Sequence, residues 1–382
     1  MPEVSDPLGS LKAALDALCA EDPTRVCDRE SIKDVYRQLA RLEAVATKAT
    51  AAFDASHAWD EDRARSAAGW LAATTHVPKA LAQRRVRLGR DLRVMDVIEQ
   101  AWLAGDIAEP QVNLLCRART PGRAETFARD EELLVSHAKN LTYGQFTRAL
   151  AYWCYRADPD GSEHEAEDDV AARELYLSDG FRGRKEMKGT FDPIGGSIVS
   201  DELARIEEEL FAADWAEARE RVGAGVCGAD LTRTPAQRRA DALVEMARRS
   251  GAVPEGARLP EPLFNVFVDY ETFAGRICEL ANGVAVTPGS LLRYLDEAWI
   301  ERVVFGSPSR VIDIGQRRRL FTGATRRAVQ VRDRECFHPF CDIAATDCQI
   351  DHIEPYSAGG LTTQDNGRAA CGFHNRDRHR RT

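Results

Sequence analysis

The stretch ECFHPFCDIAATDCQIDHIEP (335–355), answered by NGRAACGFHN (366–375), organises the C-terminal end of this 382-residue chain. It sets Cys336-x4-Cys341, then 29 residues, then Cys371-x2-His374. Two closely spaced donor pairs separated by a long loop are what a tetrahedral thiolate and imidazole site needs, each pair sitting on its own turn. A segment of fewer than about 80 residues cannot bury enough apolar surface by itself, and a bound ion supplies the missing folding energy. The spacing therefore assigns Cys336, Cys341, Cys371 and His374 to a structural Zn²⁺. Free thiols are the alternative, but they give no reason for the paired spacing. Cys348 is left open as a substitute ligand, a neighbour of the site or a packed thiol.

Working outward, cysteine and charge both change character along the chain. Four of the ten cysteines and four of the eight histidines (His338, His352, His374 and His379) lie in this tail. The other six cysteines are scattered singly through helical patterns and are expected to be reduced, small and buried. The formal net charge is −9, which excludes a uniformly basic nucleic-acid coat protein. Residues 301–382 nevertheless hold 14 Arg against 10 acidic residues, a net of +4, so the remaining 300 carry −13. Runs such as Arg317-Arg318-Arg319 precede the cysteine cluster, and Arg376 to Arg381 follow it. The N-terminus has no basic region followed by an apolar run, and no stretch approaches the ~20 apolar residues of a membrane span. A cytoplasmic chain without membrane contact is expected.

Four segments follow from periodicity and turn signals. Residues 1–157 read as a helical domain. Val35, Leu39, Leu42, Val45 and Ala49 recur at helical spacing, and a Pro78-initiated helix carries Arg84, Arg85, Arg87 and Arg90 on one face. That basic face either tracks phosphates or pairs with acidic neighbours, and the pairing is the commoner case. Residues 158–172 (DPDGSEHEAEDD at their start) read as an acidic linker. Residues 173–315 read as α+β. Strands are expected at Glu174–Ser178, Lys188–Phe191 and Leu263–Asp269, and helices from about Ser200 to Ala218, after Thr234-Pro235 and after Thr287-Pro288. Residues 316–382 form the cysteine-bearing domain. The expected fold is mainly α with an α+β middle region.

Inside the long loop lie Asp351-His352-Ile353-Glu354-Pro355, Gly359-Gly360 and Asn366, with Asn375 directly after His374. In that order and with that cysteine frame, the tail resembles the HNH endonuclease family. Upstream, RSAAGWLAATT (65–75), AGDIAEPQV (104–112), TPAQRRADALVEMAR (234–248) and RRAVQVRDREC (326–336) resemble the actinobacterial proteins that join domain of unknown function 222 to an HNH domain, also called the 13E12 repeat family. The resemblance spans nearly the whole chain and implies a zinc-stapled ββα-metal (His-Me finger) domain at the C-terminus. It implies metal-dependent hydrolysis of DNA phosphodiesters. His352 would be the general base, Asp351 and Asn375 would hold a catalytic Mg²⁺ or another divalent cation, Asn366 would orient the His352 segment, and Arg376 and Arg378 would contact phosphate. Gly367–Ala370 stands where the family has a Leu-rich strand, so a weakly packed hairpin is expected. Only seven residues follow Asn375, so the last helix is expected to be short. A zinc-bound DNA-binding module without catalysis is the alternative, and a helical interaction scaffold with a purely structural tail is the third reading.

Overall fold

The computed structural model describes residues 6–223, 225–252, 263–267, 278–280, 283–292, 299–303, 321 and 323–375. The runs Arg317–Arg319 and Arg376–Arg381 lie outside the described residues. The chain divides into two compact units, 1–150 and 151–382.

The first unit is helical throughout: α1 (Pro7–Ala20), α2 (Arg29–Ser56), α3 (Ala67–Thr75), α4 (Lys79–Asp91), α5 (Asp96–Ala104), α6 (Glu109–Ala118), α7 (Ala124–Asn140) and most of α8 (Tyr143–Ala157). Local chemistry sets the boundaries. Asp28 accepts hydrogen bonds from the Glu30 and Ser31 backbone N–H groups, satisfying donors the helix cannot, and Gly105 ends α5 with φ +74°. The core is built of large side chains, with Trp102, Phe127, Phe146, Ile98, Leu115 and Leu134 all essentially inaccessible. The α2–α4 crossing is close: a Cβ on Gly89 would stand 2.7 Å from the Ala51 Cβ. The basic face of α4 is paired with acids. Arg90 forms a two-pronged ion pair with Asp54 at 2.8 Å, and Arg84 meets Glu109 at 2.7 Å. The apolar stripe of α2 does not enter this core. The buried face of α2 is Ala40, Ala44 and Thr47, while Val35, Leu39, Leu42 and Val45 remain exposed.

In the second unit the end of α8 is followed by α9 (Pro159–Ala171), where the sequence suggested a linker. Asp158 caps Gly161 N–H, Pro159 takes the first helical turn, and Glu163 accepts a hydrogen bond from Gly289 N–H at 3.1 Å. The acidic composition is therefore a helix face rather than an extended connection. Strands β1 (Glu174–Asp179) and β2 (Lys185–Thr190) form an antiparallel hairpin whose turn falls later than expected, since Asp179 still pairs with Lys185. Helix α10 (Pro193–Val222) starts before Ser200 because Asp192 caps Gly195 N–H. Helix α11 (Pro235–Ala252) opens on the expected Thr234/Gln237 capping box. Asp214 of α10 is buried and joins the two helices through Arg233 at 2.5 Å and Arg238 at 3.3 Å.

A four-stranded sheet follows with order β5 (Ala285–Val286), β4 (Cys278–Glu279), β3 (Leu263–Phe267), β6 (Trp299–Val303), in which β3 and β6 run parallel. Ile194, Leu280, Val286 and Leu291 form a small core there, the last on the short helix α12 (Pro288–Leu292). Helix α13 (Gly323–Asp333) then leads into the antiparallel pair β7 (Gln349–His352) and β8 (Gly367–Ala370). Buried Glu279 links this last segment to the sheet by accepting from Arg334 at 2.9 Å and from the Tyr152 hydroxyl. Among the described residues no helix is long and apolar enough to cross a membrane. None of the ten cysteines is in a disulfide. Of the six outside the tail none is fully buried, and Cys19, Cys27 and Cys227 are exposed, which corrects the expectation of buried thiols.

Candidate metal centre and adjoining hairpin

Cys336 and Cys341 lie on the turn after α13, Cys371 directly follows β8, and His374 sits in the helical segment 372–375 that comes next. Their ligand atoms all fall within 4.8 Å of one another. The individual separations are 3.8 Å for Cys341 Sγ to Cys371 Sγ, 3.5 Å for Cys336 Sγ to His374 Nδ1, and 3.2 Å for Cys371 Sγ to His374 Nδ1. A tetrahedron with zinc–sulfur bonds of about 2.3 Å has sulfur–sulfur edges of about 3.8 Å and slightly shorter sulfur–nitrogen edges. Three of the six edges fall near those lengths, and all lie within 4.8 Å. The Cys₃His cluster could hold a metal ion and is compatible with structural zinc.

Electrostatics support the same reading. The Cys371 N–H donates to Cys336 Sγ at 3.3 Å, and the His374 N–H donates to Cys371 Sγ at 3.5 Å. Burial opposes ionisation of Cys336, yet the N–H groups of Cys371 and His338 bring its thiol below the usual value. Burial, followed by the neighbouring sulfurs, pushes Cys341 up to about 11. A cation bound between the sulfurs would favour their ionised forms. His338 stacks on His374 with centroids 3.9 Å apart, fixing the ligand ring from outside. Cys348 is not part of the cluster. Its buried thiol points to the Ile343 carbonyl and is pushed up to about 12 by burial, so it packs as a thiol.

The hairpin beside the cluster is tightly packed, contrary to the expectation from its composition. A Cβ on Gly367 would meet Phe321 at 2.7 Å, Val329 at 2.8 Å and Ile350 at 3.0 Å. Gly367, Ala369 and Ala370 are buried, and Asp333 at the end of α13 accepts the Ala369 N–H at 2.7 Å. Small residues let α13 lie directly on the strand pair. Arg332 completes the seal by donating to the Gln364 and Gly367 carbonyls, both at 2.6 Å.

His352 ends β7 opposite Gly367. Its Nε2 lies 2.9 Å from Thr362 Oγ1, and its ring packs 4.5 Å from Phe321. Asn366 holds the following loop. Its side-chain oxygen accepts the Glu354 N–H at 2.8 Å, and its amide donates to the carbonyls of Leu361 at 2.8 Å and Glu354 at 3.1 Å. Gly359 adopts φ +97°, and a Cβ on Gly360 would stand 2.0 Å from the Glu354 carbonyl oxygen, so both glycines are required by the loop path.

Asp351 and Asn375 are engaged with other partners. Asp351 is cross-strand from Arg368 and is ion-paired with it at 3.2 Å, while the Asn375 amide donates to Gln349 at 2.5 Å. Gln349 and Asp351 share a face of β7 because side chains alternate along a strand. A divalent ion at Asp351 would have to displace Arg368, whose charge already neutralises the carboxylate, so the side chains as they stand do not form a hard-cation site. Sequence reasoning missed Arg368, whose guanidinium also lies 3.8 Å over the Phe337 ring. Only the cross-strand register reveals its partner. Arg376 and Arg378 lie outside the described residues.

The family model for the Domain of unknown function (DUF222) matches residues 29–333, most of the chain. The chain belongs to the DUF222 family. The match ends at the last residue of α13, three positions before Cys336, so the metal cluster and its hairpin lie beyond the DUF222 segment. The uncharacterized protein Rv1128c of Mycobacterium tuberculosis is 24% identical over 77% of this chain and 67% of its own length. The uncharacterized protein MT1183 of the same species is 25% identical over 97% of this chain and 88% of its own length, so its similarity extends through the tail. No solved structure gives a significant match.

Proposed function

We propose that residues 316–382 are an HNH-type, ββα-metal endonuclease module that hydrolyses DNA phosphodiesters, stapled by structural Zn²⁺ at Cys336, Cys341, Cys371 and His374. The observation that carries this reading is the joining of the Cys₃His cluster to a two-stranded hairpin that ends in His352 and is followed by a loop clamped by Asn366. An imidazole at a strand end, with Thr362 fixing its ring plane, is positioned to take a proton from a water attacking phosphorus. The phosphorus–oxygen bond to the leaving group then breaks, and the leaving oxygen is protonated from solvent. Asn366 ties the loop that follows His352 to Glu354 and Leu361, while Phe321 and Thr362 hold the ring itself.

In the related chemistry a divalent cation supplies charge stabilisation at the phosphate. No step is assigned to one here, because Asp351 and Asn375 are committed to Arg368 and Gln349. Those same commitments favour a second reading, a zinc-bound DNA-binding module without catalysis.

Incubating the purified protein with supercoiled plasmid and Mg²⁺ or Mn²⁺ separates the two. Nicking that falls at least ~100-fold in His352→Ala supports the nuclease, since a positioned general base contributes about that much. DNA binding without nicking in either protein supports the second reading.

A further inference from the structure

Helix α1 presents Leu8, Leu11, Leu15 and Leu18 at alternating spacings of three and four residues, and none of its residues is buried. Helix α2 repeats that spacing with Ile32, Val35, Leu39 and Leu42, again all exposed. Tyr36 and Val45 widen the second stripe. Leu8 is 76% exposed and Leu39 48%, so neither stripe is covered by the other. A 14-residue helix is at the limit of stability in water, and most helical stability in proteins comes from a packed apolar face. A helix with this pattern and no buried residue is incomplete as a single chain.

We propose that α1 and the first half of α2 form the interface between two copies of this chain, paired about a two-fold axis. Three observations select a second copy as the occupant. The repeat of three and four residues is the spacing of helices that interlock side by side, and both stripes carry it, so the surface is complementary to itself. Ten large apolar side chains on the two helices are each at least 36% exposed, enough to form the apolar centre of an interface to which each partner contributes ~800 Å². Charge does not oppose the pairing, because the charged residues of α1, Lys12 and Asp16, neutralise each other at 2.6 Å. Helix α2 is also held rigidly from its other side. Ala40, Ala44 and Thr47 are buried, and Arg37 and Arg41 donate to the carbonyls of Ala104 and Leu103. This surface lies far in sequence from the proposed nuclease residues, and the pairing does not depend on that reading.

Sedimentation equilibrium of the full chain, at tens of micromolar and with metal present, tests the proposal. The expected mass is twice 42.3 kDa for the wild type and 42.3 kDa for the double variant Leu15→Glu, Leu39→Glu. Hydrogen exchange of the wild type at high and low concentration locates the interface without any variant, and protection at high concentration is expected in residues 7–20 and 29–45. A monomeric wild type overturns the proposal, including one that binds anionic lipid vesicles instead. Concentration-dependent protection confined to another surface, such as the exposed hairpin 174–190, overturns it equally.

Discussion

The helical body around Trp102 and the cysteine-bearing tail achieve order by opposite means. The body buries Trp102, Phe127, Phe146 and several Leu and Ile side chains completely. The core cluster at the metal site is Cys336, Ala345, Cys348, Ala369 and Cys371, which offers little apolar area. At about 25 cal/mol per Å² of buried apolar surface, the first region can fold on hydrophobic burial, whereas the second requires another source of free energy. A metal ion held by the three sulfurs and the imidazole of the Cys₃His cluster could supply it.

Removing the ion is the strongest way to break this contrast. Stripping metal with a chelator, or substituting Cys371→Ser, should cost the tail about 10 kcal/mol or more and unfold it, because site formation and folding are one equilibrium. Hydrogen exchange should show protection lost over residues 323–375 while α4 to α7 keep theirs. Metal analysis should fall from about one equivalent to less than half. Protons compete with the ion for the thiolates, and Cys341 without an ion is held up at about 11, so lowering the pH should release metal and raising it should retain metal. Full metal content in the Cys371→Ser variant would contradict the assignment.

The converse change is next in size. Trp102→Ala should destabilise the body by about 3–5 kcal/mol, the usual effect of emptying a fully buried aromatic site, and leave metal content unchanged. Thermal unfolding followed alongside metal analysis checks both halves of that statement.

The smallest effect sharpens the comparison within the tail. Gly367→Val should cost about 1–3 kcal/mol by forcing a side chain against Phe321 and Val329. Metal affinity should drop less than in Cys371→Ser, and the hairpin amides of 349–352 should exchange faster. If the substitution left exchange unchanged, the close seating of α13 on the hairpin would be wrong.

Several elements are legible in the amino-acid sequence alone. The Thr234/Gln237 capping box starts α11 as written, because a cap is set by residues three positions apart. The four residues of the Cys₃His cluster are legible because the spacing within each pair is local. Residues 158–172 mislead because their acidic composition suggests a linker, whereas Asp158 and Pro159 start a helix. Gly367–Ala370 looks weak because small residues lack apolar area; their value depends on Phe321 and Val329, which are distant in sequence.

By itself the sequence determined the helical character of the first 150 residues, the pairing of cysteines into one cluster and the order of motifs along the tail. These are set by interactions between neighbours or by the fixed demands of a tetrahedral site. Tertiary structure decided which face of each element is inside. It places the apolar stripe of α2 outside and its alanines inside, commits Asp351 to Arg368, and shows Cys348 to be a packed thiol. Burial and pairing depend on what arrives from elsewhere in the chain, and a one-dimensional pattern records only that a face is apolar or charged, not what lies opposite it.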